Sequence, residues 1–168
     1  MKPKIHFAGM ALDGRSGHET GRLLLAKLYK EAVGTDMPEI AIAPGGKPYF
    51  VGENWHFSIS HTKAHVFCVL ADRPVGLDAE EADRSIDLRL AEHILSPGEK
   101  AQFDISPDPR KTLLTFWVLK EAEGKRTGKG IGFHPRHTDF TLPDDRVFES
   151  DGCIVAVIDR SQEDYYVI

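Results

Sequence analysis

Two carboxylates stand two residues apart at the end of an apolar run near the middle of the chain. The segment "VGLDAE" (75–80) contains Asp78 and Glu80, and residues i and i+2 of a strand point to the same face of a sheet. Like charges held side by side repel each other unless a cation or a basic group lies between them. The pair therefore predicts a cationic partner, although a strand end with two solvated carboxylates would have the same sequence.

A second set of charged residues lies in "FWVLKEAEGKRTGKGIGF" (116–133). Glu121 and Lys125 are four residues apart, in the order that favours an ion pair on one helix face, and Lys120 directly precedes Glu121. The glycines that follow allow close backbone approach, and the lysines supply positive charge for phosphate groups. A surface salt bridge would explain the Glu121–Lys125 pair alone. The segment is not a Walker A loop, because G-x-x-x-x-G-K-[ST] is absent.

The two sets together indicate phosphate chemistry. Asp78, Glu80 and Glu121 supply three oxygen ligands for a hard cation such as Mg²⁺, whose octahedron would be completed by waters and substrate phosphates. Nearby lysines would neutralise the charge on a leaving phosphate. The residues alone therefore predict Mg²⁺-dependent phosphate chemistry.

The elements that must position these residues form two halves that meet near residue 73. The first half predicts strands and one helix, with Gly34 as the C-cap of the helix. The second half predicts a strand, three helices and further strands, with Ser96, Pro97 and Glu99 forming a capping box. The predicted segments are 5–12, 16–34, 43–50, 56–60, 64–71, 75–80, 85–95, 96–103, 108–128, 138–142, 146–150, 153–159 and 164–168. This order predicts an α+β fold.

Composition narrows the function classes. The net charge is −5, yet residues 110–137 hold seven Lys/Arg against two Glu. This distribution favours a local anionic ligand over general nucleic-acid binding. A solvated helix face would cluster charge in the same way. No apolar run approaches the ~20 residues that span a membrane, and the N-terminal segment has no signal-peptide pattern. Cys68 and Cys153 lie in apolar runs and are expected to be buried thiols. These features predict a cytoplasmic protein without disulfides.

Several of these segments together resemble a known signature. "VGLDAE", followed roughly forty residues later by "FWVLKEAEGKRTGKG", is similar to the G-[VIL]-D-x-E and [FW]-x-x-K-E-[AS]-x-x-K motifs of the 4'-phosphopantetheinyl transferase superfamily. Upstream, "GGKPYF" and "FSISHT" resemble the family's G-K-P and F-N-[IL]-S-H-[ST] segments, with Ser58 where the family often has Asn. "ILSPGEK" resembles its F-[FL]-S-x-x-E segment. The resemblance covers about residues 45–130.

The resemblance implies a fold and a reaction. The fold would be a pseudo-dimer of two similar small α+β subdomains, each an antiparallel sheet packed with a long helix. Residues 1–73 would carry the coenzyme A-binding elements and residues 74–168 the metal and catalytic elements, with the active site between them. The family transfers the phosphopantetheine arm of coenzyme A to a serine of an apo acyl or peptidyl carrier protein and releases 3',5'-ADP.

The resemblance also implies roles for individual residues. Asp78, Glu80 and Glu121 would bind Mg²⁺, with Mn²⁺ as an alternative. Glu121, directly or through a metal-bound water, would take the proton from the attacking serine. Lys125 would stabilise or protonate the leaving phosphate, and Lys120 would help to hold the anionic site, so that both lysines contact coenzyme A.

Four further residues are implied to bind coenzyme A. Lys47, Ser60 and His61 would contact its phosphates, and Arg22 is a candidate for the 3'-phosphate. Ser60 is not expected to be a nucleophile, because no G-x-S-x-G elbow surrounds it. Gly124 lies inside the signature helix and should weaken it by roughly 1 kcal/mol relative to alanine.

The implied partner is an apo carrier protein. Carrier proteins of this kind are usually acidic around the modified serine, so the basic segment 110–137 is a candidate docking surface. No nucleic-acid or membrane partner is expected, and the pseudo-dimer would be a monomer. Two alternatives stay open: a non-catalytic, coenzyme A-binding relative of the same fold, and a Mg²⁺-dependent phosphohydrolase that uses the same carboxylates.

Overall fold

The computed structural model of the chain describes residues 4–129 and 134–159. Its first half contains strands, a long helix and a short hairpin, and its second half contains helices between strands. Two 3-10 turns, Leu88–Leu90 and Pro135–His137, complete the secondary structure of the described part. The labelled elements are β1 Ile5–Ala11, α1 Gly17–Val33, β2 Ile40–Ile42, β3 Pro48–Phe50, β4 His56–His61, β5 His65–Ala71, β6 Gly76–Glu81, α2 Ala91–Ile94, α3 Pro97–Asp104, α4 Pro109–Thr127, β7 Val147–Ser150 and β8 Cys153–Ile158.

The two halves have the same strand connectivity. The first sheet has the order β1-β5-β4 and the second has the order β6-β8-β7, and all pairs within them are antiparallel. In each half the strand that comes last in the chain is central. The first strand of the half lies on one side of it, and the second-to-last strand lies on the other. One long helix lies along the chain between the first strand and the second-to-last strand. The hairpin β2–β3 is separate from both sheets. The predicted α+β class is confirmed.

The central strands explain the four-layer packing of the molecule. On β5, Phe67 and Val69 face the second sheet, whereas Cys68 and Leu70 pack against α1. On β8, the residues alternate in the same way between the first sheet and α4. The layers are therefore α1, first sheet, second sheet and α4. Strands buried on both faces read as continuous apolar runs, as predicted for 64–71.

Serine side chains join the edges of the two sheets. The Oγ atom of Ser58 accepts a hydrogen bond from the Leu77 amide at 3.1 Å, and that of Ser60 accepts one from the Ala79 amide at 3.2 Å. Both serines are buried, and they share one face of β4 because they are two residues apart. Ser58 and Ser60 alternate along β4 with the apolar residues Phe57 and Ile59, and the two hydrogen bonds hold β6 beside β4.

Helix α4 lies directly against β6 at a glycine. A Cβ atom on Gly76 would collide with the backbone carbonyl of Ala122, so this close approach requires glycine. The α4 helix has Asp108 as its N-cap and Gly128, with φ 68°, as its C-cap. Helix α1 has the same kind of caps: Ser16 is its N-cap, and Gly34, with φ 92°, is its C-cap. The C-cap at Gly34 was predicted.

Some sequence-based assignments are wrong in detail. The helix predicted for 85–95 is only a 3-10 turn followed by the single turn α2, because Leu88 and Leu90 are exposed and provide no apolar stripe. No strand forms at 138–142, because the amides of Phe140 and Leu142 donate to side chains of α3 instead of a neighbouring strand. The strand predicted for 164–168 lies outside the described residues.

Two further expectations concern the cysteines and membrane-spanning helices. Cys68 and Cys153 are free and buried, as predicted. Within residues 4–129 and 134–159, no helix combines the length and the apolar character needed to cross a bilayer.

Candidate active site

A groove of about 700 Å³ separates the first half of the chain from the C-terminal turns of α4. His18 and Arg22 of α1 and His61 of β4 line one side, and Glu121 and Lys125 of α4 line the other. This volume is within the range of small-molecule sites, roughly 300–1,000 Å³. The groove thus brings together positive groups from one half and an acid–base pair from the other.

A tight backbone contact closes one end of the groove. Gly45, in the turn between β2 and β3, approaches the carbonyl of Gly128 so closely that a Cβ atom would collide with it. In the same turn, the Lys47 ammonium donates to the carbonyls of Val75 at 3.1 Å and Arg126 at 2.8 Å. Burial, with the charge of Arg126, lowers the pKa of Lys47 to about 8. Lys47 lines the groove, but its ammonium donates to two carbonyls that join the halves, so its contact with a phosphate stays a prediction.

Asp78 lies beneath α4 and is almost completely buried. Its Oδ1 atom accepts hydrogen bonds from Lys125 Nζ at 3.1 Å and from Ser60 Oγ at 3.3 Å. Its Oδ2 atom is buried and has no hydrogen-bond partner in the part of the chain that the structure describes. Burial raises the pKa of Asp78 to about 6; Lys125 opposes this effect, and the charges of Glu80 and Glu121 add to it. An orphaned carboxylate oxygen among other carboxylates is a fitting ligand for a cation.

Glu80 and Glu121 are electrostatic neighbours of Asp78. The Oε1 atom of Glu80 is 2.6 Å from an Arg84 guanidinium nitrogen and accepts a hydrogen bond from Trp117 Nε1 at 3.3 Å. Burial raises the pKa of Glu121; the charge of Lys125 lowers it and that of Glu80 raises it. The Lys125 ammonium pairs with Asp78 rather than with Glu121, its predicted partner. The structure does not bring ligand atoms of Asp78, Glu80 and Glu121 all within 4.8 Å of one another. The buried, unpartnered oxygen of Asp78 is the feature that suits a hard divalent cation such as Mg²⁺.

Ser60 does not line the groove, although its neighbour His61 does. The Ser60 side chain is buried between β4 and β6, where its hydroxyl contacts Asp78 and the Ala79 amide. His61 is exposed and points the other way, because successive residues of a strand face opposite sides. The predicted coenzyme A contact therefore fits His61, whereas the structure makes Ser60 a positioning residue for Asp78.

Lys120 lies on a different side of α4 from the groove. Its side chain is fully buried, with Nζ 2.6 Å from Glu99 Oε1. The same ammonium donates to the carbonyls of Pro135 and Thr138 and to the Thr138 hydroxyl. Consecutive helix residues are rotated by about 100°, so Lys120 and Glu121 face different surroundings. The structure does not bring Lys120 to the groove, because its donors are already used inside the protein; its contact with coenzyme A stays a prediction.

Three residues of the site were not predicted. His18 lies one helical turn before Arg22 on α1, and both side chains line the groove; this i,i+4 spacing was the available signal. Arg84 and Trp117 hold Glu80. Trp117 packs against the core around α4, and its indole N–H reaches the carboxylate. Its position four residues before Glu121 places both on one face of α4.

Comparison with known proteins agrees with the motifs of this site. The family model described as "4'-phosphopantetheinyl transferase superfamily" matches residues 74–165, more than half of the chain. This range contains β6 and α4, which carry the three carboxylates and Lys125. The match therefore includes Glu121 and Lys125, which line the groove, and Asp78 and Glu80, which do not line it.

Curated relatives extend the similarity into the first half. The chain is 33% identical over 118 residues to the 4'-phosphopantetheinyl transferase psf-1 of Bacillus pumilus, covering 69% of this chain and 46% of the relative. It is 26% identical over 158 residues to a 4'-phosphopantetheinyl transferase of Bacillus subtilis, covering 85% and 68%. It is 30% identical over 115 residues to the 4'-phosphopantetheinyl transferase gsp of Aneurinibacillus migulanus, covering 66% and 48%. The chain thus spans about half the length of the first and third of these relatives.

Proposed function

The chain belongs to the 4'-phosphopantetheinyl transferase superfamily, and we propose that it transfers the 4'-phosphopantetheine arm of coenzyme A to a serine of an apo acyl or peptidyl carrier protein. The observation that carries this proposal is the groove, in which Glu121 and Lys125 face Arg22 and His61 across the boundary between the halves. We further propose that residues 1–73 and 74–168 act as the two subdomains of a monomeric pseudo-dimer in the cytoplasm.

The residues of the groove suit phosphoryl transfer. The serine oxygen would form a bond to the phosphorus that carries the pantetheine arm, while the bond from that phosphorus to the departing 3',5'-ADP breaks. Glu121 would accept the serine proton, because burial raises its pKa towards the range of an effective general base. Lys125, now paired with Asp78, would turn its positive charge to the leaving phosphate.

The carboxylate cluster supports a dependence on divalent metal. Asp78, Glu80 and Glu121 would hold Mg²⁺, with Mn²⁺ as an alternative, and the ion would neutralise the pyrophosphate oxygens when bound. The buried, unpartnered Oδ2 atom of Asp78 supports this assignment. So do the charges around it: Glu80 raises the pKa of both Asp78 and Glu121, and Glu121 raises the pKa of Asp78.

The opposite wall supports binding of the nucleotide end of coenzyme A. His18, Arg22 and His61 supply groups that bind phosphate, and Ile42 and Pro48 supply apolar surface in the same groove. For the carrier protein, we propose docking on the basic segment 110–137, part of which lies outside the described residues. If this docking is electrostatic, the KM for the carrier should rise with salt while the kcat changes little.

The test is a transfer assay read by intact mass. The purified chain is incubated with coenzyme A, Mg²⁺ and a panel of apo carrier proteins, and each carrier is weighed. We expect a gain of one phosphopantetheine that is lost with EDTA and in Glu121→Gln. The matched control is Glu149→Gln, which neutralises an exposed glutamate far along the chain from the groove residues and should leave the gain intact.

Two results would favour the alternatives. Coenzyme A binding without a mass gain on any carrier would favour a non-catalytic relative. Release of 3',5'-ADP without any carrier would favour a phosphohydrolase that uses the same three carboxylates.

A further inference from the structure

A second cluster of metal-ligand side chains lies where the two sheets meet. His65 is the first residue of β5, Glu81 the last of β6 and Cys153 the first of β8. Glu81 and Cys153 are direct cross-strand partners, and His65 reaches them from the other sheet. One donor atom from each side chain lies within 4.8 Å of the others, and this is the one such group of His, Cys, Asp or Glu side chains among the residues that the structure describes.

The separations within the cluster are those of metal ligands. His65 Nδ1 is 3.2 Å from Glu81 Oε1 and 3.6 Å from Cys153 Sγ, and Sγ is 3.6 Å from Glu81 Oε2. A tetrahedral zinc ion with ordinary Zn–N, Zn–O and Zn–S bonds holds such donors about 3.4–3.6 Å apart. The three side chains are therefore already spaced as ligands, and only a small adjustment would admit the ion.

The donor types select the metal. A set of imidazole nitrogen, thiolate sulfur and carboxylate oxygen is typical of Zn²⁺, whereas Mg²⁺ and Ca²⁺ take oxygen ligands. Thr62 supports the set, because its hydroxyl donates to Glu81 Oε1 at 2.6 Å and orients the carboxylate. His65 and Glu81 are 20% and 27% exposed, so solvent reaches the cluster, while Cys153 is buried.

The cluster is separate from the groove. Glu81 follows Glu80 on β6, and successive strand residues face opposite sides, so Glu81 points between the sheets whereas Asp78 and Glu80 point towards α4. Cys153 belongs to the core between the sheets. A metal here would not replace the cation that the carboxylates of the groove are proposed to hold.

We propose that His65, Glu81 and Cys153 form a zinc site that links the two sheets. Binding displaces the thiol proton of Cys153 to solvent and leaves the imidazole neutral, with its Nδ1 lone pair on the ion. In the structure the same groups hydrogen-bond to one another. Because the ion binds the folded state, it raises the free energy of unfolding.

The experiment uses Co²⁺ as a spectroscopic probe of the reduced full chain, with excess Mg²⁺ present to occupy the carboxylates of the groove. We expect one equivalent of Co²⁺ to produce a near-ultraviolet thiolate-to-cobalt charge-transfer band, which equimolar Zn²⁺ abolishes. Cys153→Ser should lose the band, and Cys68→Ser should keep it, because Cys68 is an equally buried thiol that packs towards α1. His65→Gln should weaken Co²⁺ binding by more than about tenfold.

Stability supplies an independent readout. Zn²⁺ should raise the Tm of the wild-type chain and of Cys68→Ser but not that of His65→Gln. The His65→Gln variant is chosen because position 65 is partly exposed, so this variant should fold normally. A folded wild-type chain that shows no charge-transfer band would overturn the proposal. A band that survives in Cys153→Ser would overturn it as well. Neither result depends on transfer activity, so the proposed function and the zinc site can fail separately.

Discussion

Replacing Lys120 with methionine should reduce stability without weakening coenzyme A binding. Lys120 and Glu99 form a fully buried ion pair at 2.6 Å, and removing one partner of such a pair costs about 3–5 kcal/mol because the other charge stays buried. Glu99 would keep the amides of Ser96 and Phe140, but the carbonyls of Pro135 and Thr138 would each lose the Lys120 ammonium as a donor. At about 2–4 °C per kcal/mol for a chain of this size, the Tm should fall by roughly 6–20 °C.

Urea unfolding followed by circular dichroism measures the loss, and calorimetric titration measures coenzyme A affinity at a temperature where the variant is folded. The matched control is Lys111→Met on the same helix, whose exposed pair with Glu149 should contribute less than about 1 kcal/mol. Adding Glu99→Gln to Lys120→Met removes the isolated charge and should restore part of the loss. A normal urea midpoint with lost coenzyme A binding would refute this reasoning and return Lys120 to the groove.

Three further outcomes are expected. Lys125→Met should lower the transfer rate by about 10²-fold or more at saturating coenzyme A, measured as 3',5'-ADP release; an unchanged rate would remove Lys125 from the chemistry. Ser60→Ala should reduce the free energy of unfolding by about 1–3 kcal/mol, because the buried Ala79 amide loses its acceptor; unchanged stability with weaker coenzyme A binding would favour the role predicted from the sequence. Burial lowers the pKa of Lys47 in the folded chain to about 8 from its ordinary 10.5. Because the unfolded chain holds this proton more tightly, the free energy of unfolding should rise with pH between about 8 and 10.5. The urea midpoint should rise less with pH in Lys47→Met than in the wild-type chain. An equal rise in both would contradict the lowered pKa of buried Lys47.

Features determined by local chemistry could be predicted from the sequence. The capping box at Ser96 and Glu99 needs only residues three positions apart, and the left-handed C-cap at Gly34 needs only glycine. The alternation along β4 likewise follows from the period of two. The motif carboxylates could be proposed as a set, because Asp78 and Glu80 share a strand face and Glu121 lies beside the lysines of the second charged segment.

Features that depend on distant partners could not be predicted in this way. Lys120 and Glu121 are adjacent in the motif, but the partner that places Lys120 in the interior is Glu99, which lies on another helix. Ser60 was predicted to be a phosphate ligand together with its neighbour His61, whereas its contacts come from β6 in the other half. The segment 138–142 has a strand-like pattern, but its amides donate to side chains of α3 instead of pairing with a neighbouring strand.

The serine contacts between β4 and β6 have a consequence for how the chain can be divided. An unprotected edge strand offers its amides as a template to any extended peptide, and this leads to aggregation. In this molecule the hydroxyls of Ser58 and Ser60 bind the amides of Leu77 and Ala79 at the edge of β6, and they do so without merging the two sheets. A second half produced alone would expose that edge and recruit strands from other copies, so each half acts as the other's protection against self-association.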